Sequence, residues 1–202
     1  MLDIYKIIKN TTVEGPGVRF CIWVQGCKKR CKGCWAKETW AFDVGTKYSV
    51  EQLFDLILLE KENIEGITFL GGEPFEQAVE LAKLAKKVHE IGLSVVCFSG
   101  YTYDELKLKK SESVDLLLKY TDLLVDGEFD QAKFDLSRPW VGSSNQRYIF
   151  LTDKYSESEI LQFKNKIEAR IMLDGRVEVN GMGDFKKINS ELCLQLGKNK
   201  VK

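Results

Sequence analysis

The chain has 202 residues, 44% of them apolar, and carries 30 basic against 30 acidic side chains for a formal net charge of zero. That length suits one good-sized core and one domain, and the charge balance argues against a nucleic-acid or membrane surface. No apolar run of roughly 18 residues or more is present, so no transmembrane helix is expected. The start, Met1 to Lys6, lacks the regions of a signal peptide, which makes a cytoplasmic location the expectation.

In chain order, Arg19 to Gln25 is a β-rich run that stops at Gly26-Cys27. Ser49 to Lys61 repeats apolar residues at helical spacing through Leu53, Phe54, Ile57 and Leu58, with Ser49 as N-cap. Ile67 to Leu70 is a short apolar strand closed by Gly71-Gly72. Phe75 to Ile91 is an amphipathic helix capped by Gly92. Leu93 to Phe98 is the next strand, ending at Ser99-Gly100, and Tyr103 to Tyr120 carries helical segments. Asp122 to Val125 is a strand ending at Asp126-Gly127, Arg147 to Leu151 another, and Ser156 to Ile167 a further helix. Arg170 to Val179 reads as a hairpin turning at Asp174-Gly175 with a type I′ turn. Gly197 to Lys202 reads as a loose polar tail.

Strand–helix alternation implies a parallel sheet with crossover helices. The chain is shorter than the roughly 250 residues of a complete eight-unit barrel. The expected fold is therefore α/β: an open, partial (β/α) barrel of about six parallel strands with flanking helices, the cysteine loop following the first strand. Its chemistry-bearing residues gather at strand ends, where parallel α/β folds build their sites.

Half of the six cysteines fall in Cys27, Cys31 and Cys34. A tight cluster without a signal peptide reads as a metal site rather than a disulfide framework. The single histidine, His89, disfavours imidazole-built zinc, copper and hydrolase centres. Structural zinc and ordinary electron-transfer cubanes both take four protein ligands, whereas this cluster offers three. Three soft thiolates suggest an iron–sulfur cube with one iron left open. A zinc knuckle with a basic face stays as the alternative. Gly26 and Gly33 let the loop fold back, and Lys28, Lys29, Arg30 and Lys32 place positive charge around an anionic cluster. That charge would favour reduction and attract an acidic donor of the flavodoxin or ferredoxin type. Cys21 and Cys97 read as buried filler, and His89 as part of a solvated helix face.

Cys-x3-Cys-x2-Cys after a β-strand resembles the signature of the radical S-adenosylmethionine (SAM) superfamily. The preceding Glu14-Gly15-Pro16-Gly17-Val18-Arg19-Phe20 is similar to the segment before the cluster in glycyl-radical-enzyme activases, with Glu14 in place of a common aspartate. Several further segments resemble the anaerobic ribonucleotide reductase activating family: Cys31-Lys32-Gly33-Cys34-Trp35 with Thr39-Trp40, then Ser99-Gly100-Tyr101-Thr102, then Leu124-Val125-Asp126-Gly127 with Phe129. Trp140 with Gly142-Ser143-Ser144-Asn145-Gln146 completes the set. The resemblance covers residues 13–150 of a single domain spanning 1–202. Residues 152–202 match no motif of the family and read as a substrate- or partner-specific extension.

The resemblance implies a [4Fe–4S] cluster on Cys27, Cys31 and Cys34 whose open iron chelates SAM. Reductive cleavage then gives a 5′-deoxyadenosyl radical that takes a hydrogen atom from a glycine of a partner enzyme. It also implies that Gly71-Gly72-Glu73 receives the SAM ammonium, a group with donors only, and that Gly33, Cys34 and Trp35 contact the adenine. Ser99 is expected at the methionine or ribose portion, and Asp126 at a ribose hydroxyl or a cation. Asn145 is expected at SAM or at the partner's glycine loop. Trp35 as core, Asp126 as a turn residue and Ser143 to Gln146 as backbone-capping loop residues stay open as alternatives. The implied partner is a large glycyl radical enzyme, anaerobic ribonucleotide reductase first, with a peptide substrate or another glycyl radical enzyme as the alternative and a homodimer as the possible assembly.

Overall fold

The computed structural model describes residues 1–183. The strands in chain order are β1 (Leu2–Thr11), β2 (Arg19–Val24), β3 (Thr46–Tyr48), β4 (Gly66–Gly71), β5 (Ser94–Phe98), β6 (Leu123–Asp126) and β7 (Arg147–Phe150). A separate hairpin is made by β8 (Ile167–Ile171) and β9 (Val177–Gly181). The helices are α1 (Val50–Glu60), α2 (Ala78–Glu90), α3 (Tyr103–Leu108), α4 (Glu112–Lys119) and α5 (Glu157–Ile160). One open seven-stranded sheet runs β3-β1-β2-β4-β5-β6-β7.

Period-2 alternation sorts the central strands onto two faces. Phe20, Ile22 and Val24 of β2, Ile67 and Phe69 of β4, and Val95 and Cys97 of β5 join α1 to α4 in the main core. Cys21, Trp23, Leu70 and Phe98 turn to the other face with Ile8. There Val96, Leu123 and Val125 are covered by Trp140, Val141 and Ile160. The helix ends follow the local sequence. Ser49 and Thr102 form capping boxes with Gln52 and Glu105. Gly92, at φ +82°, closes α2 while Gly92 and Leu93 donate back to His89 and Val88, a Schellman motif.

Four strands are mutually parallel, β2, β4, β5 and β6, not about six. The borders β1 and β7 run antiparallel to their neighbours. A parallel neighbour needs a crossover, usually helical. The segment from β1 to β2 is too short for one, and the segment from β6 to β7 contains only a 3-10 turn at Gln131–Lys133. The register of β1 shifts between Ile4 and Lys6. That irregularity breaks the alternation by which a strand is read; because β1 precedes β2, the cysteine loop follows the second strand and not the first.

Helical structure in 156–167 is limited to α5. The β8–β9 turn is not type I′, which needs positive φ at both central residues. Only Gly175 has it (φ +83°), and Gly175 donates to the Met172 carbonyl while Met172 donates to that of Arg176. This is a three-residue loop with a G1-type bulge. Cys193 and the expected tail at Gly197 to Lys202 lie outside the described residues. No helix among the described residues is long and apolar enough to cross a membrane.

Candidate active site

The C-terminal ends of the parallel strands meet around a cavity of about 140 Å³. Its wall includes Cys27, Cys31 and Cys34, then Gly71, Gly72 and Glu73, and also Ser99, Trp40 and Phe129. The cysteine loop is clipped shut at its base. Gly26 N–H donates to the Thr39 carbonyl (2.8 Å), and Cys27 N–H to that of Trp40 (3.2 Å). The Gln25 side-chain amide donates to the carbonyls of Glu38 and Ala41 (2.9 and 2.8 Å). Inside the loop, Cys34 N–H reaches the Cys31 carbonyl (3.1 Å), and Ala36 N–H donates to Cys34 Sγ (3.4 Å).

Gly71 and Gly72 allow β4 to end hard against β2. Gly71 sits at φ +100°, where a Cβ would come within 2.8 Å of Trp23 Cα. A Cβ on Gly72 would meet the Gly26 carbonyl oxygen at 2.5 Å. That approach lets Glu73 N–H donate to the Gly26 carbonyl (2.9 Å), tying the Glu73 turn to the cysteine loop.

Glu73 is buried, and its carboxylate is held from three sides. Oε1 accepts from Phe75 N–H (3.0 Å) and Ser99 Oγ–H (2.9 Å), and Oε2 accepts from Gly100 N–H (2.8 Å). Burial outweighs these bonds and pushes the carboxyl up to about 7. A donor-rich ligand in the cavity would relieve that cost. Burial also raises the Cys27 thiol and takes Cys31 up to about 11, opposed by backbone N–H groups of Lys29, Arg30 and Phe129. Iron binding would replace those protons, leaving the same N–H groups aimed at thiolate sulfur.

All five described cysteines are free. No three or more His, Cys, Asp or Glu side chains among the described residues converge on a point suited to a single metal ion. A cube takes its cysteines on separate irons, so its ligands stand around a cavity rather than meet at one point. Three thiols on one wall beside a buried carboxylate fit a [4Fe–4S] cluster with a ligand at its open iron.

Residues 13–149 match the family described as "4Fe-4S single cluster domain". The chain is similar to the anaerobic ribonucleoside-triphosphate reductase-activating protein of Vibrio cholerae, 33% identical over 154 residues, which are 72% of this chain and 96% of the relative. The protein of that name in Escherichia coli K12 is 34% identical over 141 residues, 66% of this chain and 89% of the relative. That of Enterobacteria phage T4 is 30% identical over 146 residues, 70% and 89%. The chain belongs to this activating-protein family.

The radical SAM resemblance of the cysteine motif therefore stands, and with it the cofactors of the family, a [4Fe–4S] cluster and SAM. Among solved structures, the crystal structure of QueE from Escherichia coli covers 50% of this chain and 53% of its own. Its TM-score is 0.42 at 22% identity, too distant a likeness to argue from.

The sequence-derived site residues separate into two groups. Cys27, Cys31, Cys34, Gly71, Gly72, Glu73 and Ser99 share the cavity wall. Ser99 is committed to Glu73: its hydroxyl donates there and accepts from Tyr101 N–H (3.0 Å). Gly33 and Trp35 stand outside the wall, and Trp35 is 52% exposed. Asp126 is fully buried but points elsewhere. Its Oδ1 accepts from Arg147 Nε (3.0 Å), and its Oδ2 from Arg147 Nη2 and Tyr103 N–H (both 2.6 Å). Asn145 lies in a neighbouring hollow of about 580 Å³ with Lys32, Glu128, Asp130 and Gln131, and Phe129 borders both hollows.

Two charge readings change. Lys28 pairs with Glu76 (2.5 Å), and Lys29 lies near Glu105 (3.5 Å) and Glu128 (3.9 Å) with its ammonium over the Tyr101 ring. The basic loop is thus partly neutralised by its own surroundings. His89 is not simply solvated: Nε2 is 3.1 Å from Asp122 Oδ2, and its ring meets Tyr120 edge-on. Trp40, Phe98 and Phe129 are wall residues to which the motifs assign no role, and Gln146, from the Ser143–Gln146 loop expected at SAM or the partner's glycine loop, joins them there. The only sequence signal for Trp40 and Phe129 is their place in the activase-like segments.

Proposed function

We propose that this chain is the cytoplasmic activating enzyme of an anaerobic ribonucleoside-triphosphate reductase, removing a hydrogen atom from a glycine of that partner. The observation that carries this reading is the meeting of Cys27, Cys31 and Cys34 with buried Glu73 on one cavity. Relatives bearing that name, matched over nearly their whole length, support the choice of partner. When bound, the cluster and SAM supply the reductive cleavage and the 5′-deoxyadenosyl radical that takes the hydrogen atom.

The chain's own part is to hold, orient and keep out water. The three thiolates hold the cluster, and the Gly71-Gly72 backbone with Glu73 accepts the amino group of SAM. Ser99 and Gly100 N–H keep that carboxylate in place. The Gly33-Cys34-Trp35 backbone takes the adenine at the cavity's rim. The hollow beyond Phe129 admits the partner's glycine loop, with Asn145 facing it. Asp126, saturated by Arg147, positions the β6 end instead of touching SAM. Exposed Arg30 and Lys32 suit an acidic flavodoxin- or ferredoxin-type donor, and residues 152–202 serve substrate specificity within a single domain. Sedimentation of the loaded chain tests the homodimer.

Anaerobic reconstitution tests the reading. The chain should take up iron and sulfide in cubane proportion, and each of Cys27→Ala, Cys31→Ala and Cys34→Ala should lose the cluster. With dithionite and SAM it should release 5′-deoxyadenosine and raise a glycyl radical signal on the reductase. Stoichiometric zinc without sulfide, or an intact reducible cluster that never cleaves SAM, would sink it.

A further inference from the structure

We infer that Trp40 is a tuning residue of the cluster, its indole N–H donating to a cluster or cysteinyl sulfur and raising the reduction potential. The inference rests on the proposed cluster reading and adds a residue that the motif left without a role. Three buried side-chain polar atoms lack a hydrogen-bond partner among the described residues: Asp3 Oδ1, Trp40 Nε1 and Asn145 Oδ1. Of these three residues, Trp40 is the one on the wall shared by Cys27, Cys31 and Cys34.

An indole N–H can only donate, and enclosed without an acceptor it carries an uncompensated desolvation cost. Native folds rarely leave such groups unpaired, and one that persists points to an absent ion, water or ligand. The group that belongs in this cavity is an anionic cube whose surface is sulfur acceptor.

The backbone that carries the indole is also held in place. The Trp40 carbonyl accepts from Cys27 N–H (3.2 Å), and Trp40 N–H donates to the Lys37 carbonyl (3.1 Å). Thr39 on one side donates through Oγ1 to the Ala36 carbonyl (2.6 Å). On the other side, the Ala41 carbonyl accepts from Gln25 (2.8 Å). The Trp40 backbone is thus fixed to the first cysteine of the motif, and Lys37 Nζ lies over its ring, 6.0 Å from the centroid. Hydrogen bonds to sulfur stabilise the more negative, reduced cluster and so raise its potential.

The test is Trp40→Phe in the reconstituted chain, which keeps an aromatic ring and removes the donor. Iron and sulfide content should match the wild type. At fixed poise the ratio of reduced to oxidised cluster should fall about tenfold, a shift of about 59 mV to lower potential for one electron. A pulsed EPR spectrum of the reduced wild-type cluster, with indole nitrogens labelled with nitrogen-15, should show a coupling that Trp40→Phe abolishes. If the variant does not load, a labelled Trp35→Phe chain replaces it, and a coupling that survives there excludes the other tryptophan of the cysteine loop and keeps the assignment to Trp40 on the wall.

An unchanged potential with full loading, or no nitrogen-15 coupling, overturns the inference. So does a weaker SAM affinity at unchanged potential, which would assign the N–H to SAM. A wild type that binds no iron and sulfide refutes the underlying reading instead.

Discussion

Glu14 and Glu73 are both enclosed by the fold, and burial pushes each up to about 7 from an ordinary 4.5. Glu73 serves the cavity. Glu14 serves the hairpin, accepting from Gly181 N–H (2.7 Å) and Asn180 Nδ2 (3.2 Å), with the charges of Glu168 and Lys6 nearby. Between pH 4.5 and about 7 the folded chain keeps a proton on Glu14 that the unfolded chain has lost. Stability therefore falls as pH rises through that window. A span of about 2.5 pH units at about 1.4 kcal/mol each makes the loss roughly 3.5 kcal/mol. Glu14→Gln keeps the acceptor oxygen and removes the titration. Denaturant unfolding at pH 5 and pH 8 should show the variant gaining on the wild type only at pH 8, and parallel pH profiles would refute the assignment.

At the scale of elements, one side chain binds several strands together. Arg19 opens β2 and is fully buried. Its guanidinium donates to Thr68 Oγ1 on β4 (3.2 Å), Ser94 Oγ on β5 (2.7 Å), the Ser94 carbonyl (3.1 Å) and Tyr155 Oη (3.2 Å), and also to the Ile67 carbonyl. Burial lowers its pKa, yet the fork geometry satisfies acceptors from two neighbouring strands and the segment before α5. Arg19→Leu would strand those acceptors in the core, and Arg19→Lys lacks the planar fork. Each should lower stability by about 3–5 kcal/mol, read as a reduced denaturant midpoint at unchanged slope. A loss below about 1 kcal/mol for both would show that the network is dispensable.

Over the whole molecule, the sheet is open: β3 and β7 are its edges. The 140 Å³ cavity by itself is smaller than the roughly 300 Å³ of a small-molecule site. The adjoining hollow of about 580 Å³ beyond Phe129 is where the proposed function would find the remaining room and a route for an extended loop. Asn145 there donates to the Glu128 carbonyl (2.8 Å), and its enclosed Oδ1 has no partner among the described residues, an acceptor suited to a peptide N–H. Asn145→Ala should lower the ratio of glycyl radical formed on the reductase to 5′-deoxyadenosine released. An unchanged ratio would remove Asn145 from the substrate path.

Residues whose neighbours lie close along the chain are legible without the fold. Cys27, Cys31 and Cys34 sit on one short loop, Gly71-Gly72-Glu73 on one strand end, and the caps at Ser49 and Gly92 need only their neighbours along the chain. The four parallel strands were legible because apolar runs and crossover helices are local patterns as well. Long-range contacts decided the rest. An irregular register hid β1, and the absence of a crossover turned β7 antiparallel. Arg147 across the β6–β7 pair drew Asp126 away from the cavity. Glu14 reaches a partner 166 residues along the chain, and Trp40 gains a place on the cavity wall only because its loop closes on Cys27. Periodicity and spacing report a residue's own neighbourhood. Which buried donor meets which acceptor depends on strands packed from distant parts of the chain, and only the tertiary structure brings them together.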